Sequence, residues 1–164
     1  MAEKTTEQLV RELYDIEQIK RLKARNLRHL DLKQWEEMAK TFAPHCTTRW
    51  VDGKLCFEGR EAIMEFLKKT PFAVGEVAIT VHQPASPEIE ITSETTAKGT
   101  WRLYNPVIFR HTNHSYLLLA FYHDEYEKID GEWLISHTGH EYLIEEAFDR
   151  SDVSSLKAHT VHPF

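Results

Sequence analysis

The sequence has few of the residues and motifs that mark several common classes of protein. Only two of its 164 residues are cysteine, and no Cys-x-x-Cys or His-Glu-x-x-His pattern occurs. The ten histidines include pairs three residues apart, such as 137/140 and 159/162, but on a strand this spacing puts the two rings on opposite faces. Gly-x-Gly-x-x-Gly and Gly-x-Ser-x-Gly are also absent, which speaks against dinucleotide binding and serine-hydrolase chemistry. We therefore expect no metal and no cofactor.

Long apolar runs and clusters of positive charge are missing as well. The longest unbroken apolar run, Leu117 to Tyr122, is far too short to cross a membrane, and the polar start MAEKTTEQL lacks the apolar segment of a secretory signal. The formal net charge is -6, and Lys and Arg cluster only over 20–28, on a predicted helix face. We expect a soluble, cytoplasmic protein that binds neither nucleic acid nor membrane and that keeps Cys46 and Cys56 as thiols.

The N-terminal part of the sequence shows apolar residues at the spacing of an α-helix. Apolar residues separated mostly by three or four positions run from Leu9 to Leu30 and predict one long amphipathic helix, capped by Thr5 or Thr6. A second, short helix is predicted over 32–42 and a third over 60–69.

Beyond residue 76 the apolar period changes to two, which predicts strands around 77–81, 89–91, 101–103, 117–121 and 133–135. Asp52-Gly53 and Asp130-Gly131 lie between strand-like runs and suit the type I′ turns of hairpins. Pro84 and Pro87 predict a break in strand pairing near residue 85.

Together these elements predict a single α+β domain over 1–164, because this length accommodates one core and little more. Helices would cover one side of a curved sheet of four or more antiparallel strands. A bent sheet closed by helices leaves an apolar cavity, which is a natural site for a small molecule.

Asp31 and His82 are the two residues that first suggest chemistry. Asp31 follows Leu30 at the end of the first predicted helix, so its carboxylate either enters the interior or caps the next helix. His82 ends the strand-like run V-A-I-T-V-H and is either a structural histidine or a proton acceptor. An imidazole beside an interior carboxylate moves protons readily at neutral pH, because the carboxylate fixes its tautomer and raises its basicity.

Three more residues could present polar groups to such a cavity. Asn105 shares a strand face with Trp101 and Leu103, so its amide would lie among apolar groups and could orient a substrate oxygen. Tyr122 and Tyr142 lie on the last predicted strands, where their hydroxyls either enter the cavity or pack at the core and rim.

Three stretches, residues 15–37, 87–103 and 122–135, resemble the SnoaL-like branch of the NTF2-like superfamily. They read D-I-E-Q-I-K-R-L-K-A-R-N-L-R-H-L-D-L-K-Q-W-E-E, P-E-I-E-I-T-S-E-T-T-A-K-G-T-W-R-L and Y-H-D-E-Y-E-K-I-D-G-E-W-L-I. Within the branch the sequence is most similar to bile-acid dehydratases, whereas scytalone dehydratases and hexachlorocyclohexane dehydrochlorinases are more distant. The resemblance implies a cone in which three N-terminal helices pack on a strongly curved mixed or antiparallel sheet.

The resemblance also implies a reaction. In that group an aspartate at the end of the first helix pairs with a histidine on the following sheet. The pair removes a proton next to an activated carbon while a leaving group departs. Asp31 and His82 match these two positions, so the resemblance implies that they are catalytic.

Four positions depart from the pattern of the nearest relatives. Asn26 and Asn105 stand in place of a tyrosine and an aspartate, and Tyr142 stands in place of an arginine. Trp50 stands where scytalone dehydratases have a tyrosine. We expect these four residues and Tyr122 to contact the substrate, whose identity the departures leave open.

The resemblance thus implies a cofactor-independent lyase of the dehydratase type that acts on a hydrophobic carbonyl compound, such as a steroid or polyketide. Alternatives are an isomerase or cyclase that uses the same pair, or a non-catalytic module that binds small molecules. A homotrimer is implied by the dehydratases and a dimer by the wider superfamily. The tail over 144–164 carries apolar residues and is expected to pack over the cavity mouth or a neighbouring subunit.

Overall fold

The computed structural model describes residues 4–73, 77–110 and 112–153. These ranges contain three α-helices and seven strands, with two short 3₁₀ turns at Pro71–Ala73 and Arg150–Asp152. The elements, in chain order, are α1 Thr6–Asp31, α2 Trp35–Ala39, β1 Phe42–Trp50, β2 Leu55–Glu58, α3 Arg60–Lys69, β3 Ala78–Thr80, β4 Gln83–Ile91, β5 Thr96–Phe109, β6 His114–Ile129 and β7 Glu132–Asp149.

The strands form one curled, mixed sheet in the order β2-β1-β7-β6-β5-β3, and β4 also pairs with β5. The predicted α+β class and curved sheet are confirmed. The sheet is mixed, which is one of the two forms that the resemblance implies, because β1 runs parallel to β7 and the other pairs are antiparallel. The prediction that three helices precede the sheet is only partly matched, since α3 lies between β2 and β3.

The first helix begins and ends close to where its apolar pattern predicts. The Thr5 hydroxyl accepts a hydrogen bond from the backbone of Gln8, and the Gln8 side chain accepts one from the backbone of Thr5, which is a capping box. At the other end the backbone N–H groups of Lys33 and Gln34 donate to carbonyls of the last turn of α1, with Lys33 in the left-handed region at φ 58°. This Schellman arrangement reverses the chain immediately after Asp31.

The second helix is shorter than predicted. It covers only Trp35–Ala39, because residues 32–34 form the turn after α1 and Phe42 already belongs to β1. Gln34, not Asp31, precedes it as N-cap, so the hypothesis that Asp31 caps this helix was wrong.

Both Asp-Gly predictions are confirmed as hairpin turns. Asp130 and Gly131 have φ values of 52° and 86° and join β6 directly to β7. Asp52 and Gly53 lie in the turn between β1 and β2, also with positive φ. The predicted break near residue 85 is confirmed as a register shift between Ala85 and Glu88 where β4 pairs with β5.

The concave face of the sheet is set by strict alternation along β5. Six positions of this strand are buried, namely 97, 99, 101, 103, 105 and 107, and Asn105 is the one polar residue among them. Gly99 is needed in this series, because an added Cβ would lie 3.0 Å from the Tyr126 ring. On β3 the buried residues are Ala78 and Thr80, whereas Val81 is 43% exposed.

A buried ion pair links α1 to this face. Lys23 Nζ lies 2.7 Å from Asp124 Oδ2, and both side chains are at most 1% exposed. The same carboxylate oxygen accepts a hydrogen bond from Tyr126, which in turn accepts one from the Trp101 indole. Burial lowers the pKa of Lys23, and the adjacent Asp124 acts in the opposite direction.

The end of the chain differs from the predicted tail. Residues 144–149 continue β7 and pair with β6, whereas 154–164 lie outside the described residues. Among the described residues no helix is long and apolar enough to cross a membrane.

The ion pair gives a test of the fold. Asp124→Asn should lower the free energy of unfolding by about 3 kcal/mol, because it leaves the Lys23 charge buried without its partner. Glu125→Gln is a matched control, since the neighbouring Glu125–Lys98 pair is more than half exposed and should contribute under about 1 kcal/mol. Urea unfolding of both variants measures the difference, and equal losses would contradict the role assigned to the buried pair.

Candidate functional site

A cavity of about 200 Å³ lies between α1 and the concave face of the sheet. Its wall is mostly apolar, with contributions from Leu27, Leu30, Trp50, Phe66, Leu103, Val107 and others. Polar side chains also reach it: Lys23, Asn26, Lys33, Thr70, Thr80, His82, Asn105, Tyr122, Thr138, His140 and Tyr142. The volume exceeds the roughly 150 Å³ that holds one benzene ring, so the cavity can accept a small cyclic molecule.

Asp31 and His82 are in direct contact beside this cavity. His82 Nδ1 lies 2.6 Å from Asp31 Oδ1, and the backbone N–H of His82 donates to Asp31 Oδ2 at 2.9 Å. Thr80 donates its hydroxyl proton to Asp31 Oδ1 at 2.8 Å. Three hydrogen bonds, from Thr80 in β3 and from His82 just after it, therefore hold the carboxylate at the end of α1. Asp31 stands behind His82, and it is the imidazole that lines the cavity.

The second ring nitrogen of His82 faces Asn105. A carboxylate only accepts hydrogen bonds, so Nδ1 carries the proton given to Asp31, and Nε2 of the neutral ring carries the lone pair 3.1 Å from Asn105 Nδ2. This is the tautomer that a general base requires. Asn105 Oδ1 is buried and has no hydrogen-bond partner among the described residues.

Asn26 is buried and lines the cavity beside the dyad. Its Nδ2 donates to Thr41 Oγ1 at 2.8 Å, and the Thr41 hydroxyl donates to the carbonyl of Met38. One of the two amide protons of Asn26 is thus used inside the protein, and this bond ties α1 to the chain after α2.

The two predicted tyrosines both lie on the wall, and the His140 ring contacts each of them. The Tyr122 and His140 rings meet edge to face with centroids 5.8 Å apart, and His140 and Tyr142 are 5.0 Å apart. Lys23 Nζ lies 3.5 Å from the centroid of the Tyr122 ring. Burial raises the pKa of Tyr142 to about 12 and that of Tyr122 well above its ordinary value, so both hydroxyls are protonated at neutral pH.

Trp50 lies at the end of β1, next to the stretch of β7 that carries His140. Its ring packs against Phe57 and Phe66, which stack on each other with centroids 4.4 Å apart. The structure thus brings every predicted substrate-contacting residue, namely Asn26, Trp50, Asn105, Tyr122 and Tyr142, to the one cavity wall.

Six polar residues of this wall were not predicted from the sequence: Lys23, Lys33, Thr70, Thr80, Thr138 and His140. Thr80 could have been found, because it shares strand parity with His82. His140 was considered only as a metal ligand. Its Nε2 accepts the backbone N–H of Val51 at 3.1 Å, whereas its Nδ1 is buried without a partner among the described residues. Lys33 gave no signal, since its position depends on the turn that ends α1.

His140 gives a pH test of this arrangement. Burial, with smaller effects from Lys23 and His82, lowers the pKa of His140 from 6.5 to about 4. The unfolded chain therefore binds a proton at this residue at a higher pH than the folded chain does. Stability is retained above pH 6.5 and lost as the pH falls toward about 4.

His140→Gln should make the free energy of unfolding depend less steeply on pH between 6.5 and 4, and thermal unfolding across that range measures the slope. The exposed His123, substituted in the same way, should leave the slope unchanged. If His140→Gln kept the pH slope of the wild type, His140 would not contribute to that slope, and its protonation in the folded wild type would carry no cost in stability.

Comparison with solved structures places this fold among known proteins. A candidate scytalone dehydratase from Novosphingobium aromaticivorans has a TM-score of 0.77 at 22% identity, over 84% of this chain and 90% of that one. A type-3 hexachlorocyclohexane dehydrochlorinase from Novosphingobium barchaimii has a TM-score of 0.76 at 19% identity, over 94% and 99%. An NTF2-like protein with a cystatin-like fold from Novosphingobium aromaticivorans has a TM-score of 0.70 at 16% identity, over 87% and 92%. At these identities the likeness shows a shared fold.

The sequence itself matches the SnoaL-like domain over residues 11–139. The match extends over most of the 164 residues and includes most of α1, the Asp31–His82 contact and the cavity-lining part of β5 and β6. The chain therefore belongs to the SnoaL-like family.

Proposed function

We propose that the protein is a cofactor-independent lyase that eliminates a leaving group from a hydrophobic carbonyl compound, such as a steroid or polyketide. The observation that carries the proposal is the 2.6 Å contact between Asp31 and His82, with the imidazole on the wall of a mostly apolar cavity. Structural neighbours that include a dehydrochlorinase and a candidate scytalone dehydratase are consistent with this class of reaction.

The chemistry follows from the tautomer of His82. Once a substrate displaces the Asn105 amide from Nε2, the lone pair of this nitrogen removes a proton from the carbon next to the substrate carbonyl, and Asp31 stabilises the imidazolium that forms. The electron pair of the C–H bond becomes the new C=C bond as the leaving group departs. Tyr122, Tyr142, Asn26 and Asn105 are the groups available to hydrogen-bond the carbonyl oxygen as negative charge develops on it.

Two alternatives use the same residues differently. An isomerase or cyclase would begin with the same proton transfer and return the proton, or form a bond, at another carbon. A binding module would need the cavity but not the dyad. The hydrogen bond between Asp31 and His82 favours catalysis over simple binding.

Proton abstraction can be tested before the substrate is known. We expect the protein to exchange the α-protons of cavity-sized ketones for deuterium in D₂O, because abstraction needs the base but no leaving group. A panel of steroid ketones, aromatic polyketide-type ketones and the ketol of benzaldehyde with acetone would be incubated with protein and analysed by mass spectrometry. Fluorescence-detected binding identifies which members enter the cavity.

His82→Ala should lower the exchange rate by at least about 100-fold while circular dichroism shows an intact fold. His123→Ala is the matched control, since this histidine is about half exposed and lies on β6, outside the cavity wall. Undiminished exchange by His82→Ala would remove His82 from the role of base.

We also propose that the protein self-associates, as a homotrimer or alternatively a dimer. Leu143, Ile144 and Phe148, on the part of β7 that pairs with the start of β6, are 65%, 42% and 49% exposed. Apolar side chains of this size grouped on one strand end often mark an interface between subunits. Sedimentation analysis that finds only monomer at micromolar concentration would overturn this proposal.

A further inference from the structure

Lys33 is a cation of the cavity wall without a carboxylate partner of its own. It is about half-buried, and its Nζ makes one long hydrogen bond, 3.3 Å, to Thr80 Oγ1. Within the part of the chain that the structure describes, no carboxylate oxygen lies within 4.0 Å of this ammonium. Lys23, the other lysine of the wall, is by contrast fully paired with Asp124. Two ammonium protons of Lys33 are therefore available to a ligand.

The backbone at Lys33 makes the choice of lysine unexpected. Its φ of 58° places it in the left-handed region at the position after the helix cap, where glycine is the residue usually found. A side chain with a Cβ is disfavoured there by local sterics. The chain therefore carries a strained lysine at a position where glycine would end α1 equally well, and its ammonium reaches the cavity.

The ammonium also belongs to the hydrogen-bonded chain of the dyad. Lys33 donates to the Thr80 hydroxyl, which donates to Asp31, which holds His82. Burial lowers the pKa of Lys33, and the nearby Asp31 charge acts in the opposite direction. A half-buried ammonium gives up a proton more readily than one in water, and lysine is one of the residues that serve as general acids.

We infer that Lys33 is the proton donor to the leaving group, and that the substrate carries an oxygen leaving group, a hydroxyl, on the carbon β to its carbonyl. This rests on the proposed lyase function. His82 Nε2 takes the α-proton, the C–H electron pair forms the C=C bond, and the C–O bond breaks. Lys33 Nζ gives its proton to the departing oxygen, so the products are an unsaturated carbonyl compound and water. Solvent then returns a proton to Lys33 and removes one from His82, which completes the balance.

The test compares two leaving groups on one carbon skeleton. Each hydroxy ketone that the wild type deuterates, beginning with the ketol of benzaldehyde and acetone, is paired with its acetate ester. Both members of a pair give the same unsaturated ketone, whose ultraviolet absorbance reports the rate. Acetate departs as a stable anion and needs no acid. A hydroxyl group leaves readily only when it takes up a proton and departs as water.

Lys33→Met should raise the ratio of acetate elimination to hydroxyl elimination by about 100-fold or more, because only the elimination of the hydroxyl group depends on the acid. Lys33→Arg keeps the positive charge but not an available proton, so its ratio should rise in the same direction. Lys40→Met removes an exposed lysine paired with Glu37 and should leave the ratio at its wild-type value.

Lys33→Gly separates function from folding. It should lose hydroxyl elimination like Lys33→Met, while its melting temperature stays equal to that of the wild type or rises by about 2 °C, because glycine fits the left-handed backbone. The outcomes distinguish the two proposals. Deuterium exchange with an unchanged ratio in Lys33→Met overturns the role of Lys33 alone. No exchange by the wild type with any ketone of the panel overturns both.

Discussion

The site depends on one carboxylate that is held from three directions. Asp31 ends α1 and accepts hydrogen bonds from Thr80, from the backbone of His82 and from the His82 ring. A negative charge at the C-terminal end of a helix is disfavoured by the helix dipole, so this carboxylate is stable there only through such partners. The same bonds fasten the long helix to the edge of the sheet. The contact that orients the imidazole is therefore also a contact that closes the cavity.

The two lysines of the cavity wall have different roles, because they differ in burial and in hydrogen-bond partners. Lys23 comes from the middle of α1, lies over the Tyr122 ring and is neutralised by Asp124, so it supports the wall. Lys33 comes from the turn after α1 and reaches Asp31 only through Thr80. With His82 neutral, the charges of Lys33 and Asp31 offset each other across the Thr80 hydroxyl. Such a site can accept an uncharged substrate and still stabilise negative charge that develops during reaction.

Much of the fold followed from periodicity, because helix ends and tight turns depend on residues close in sequence. The Thr5 cap, the extent of α3 and both Asp-Gly turns were predictable for that reason. The parallel pairing of β1 with β7 was not, since it joins segments about ninety residues apart and no local pattern encodes it. The bounds of the second helix failed for a related reason, as Phe42 satisfies a helical stripe but is drawn into a strand by its partner Ile135.

The sequence by itself determined the α+β class with an apolar interior, and it singled out Asp31, His82 and Asn105 as polar residues at the borders of apolar patterns. Spacing left Asp31 equally able to cap a helix, because a carboxylate at a helix boundary serves either purpose. Only the tertiary structure decided between them, by bringing β3 to the end of α1 and placing Thr80 and His82 within hydrogen-bond distance. It also added Lys33 and His140, whose roles depend on neighbours far away in the chain. Hydrogen bonds between distant segments leave no periodic pattern in the sequence, and these bonds bring the separate polar residues together as a site.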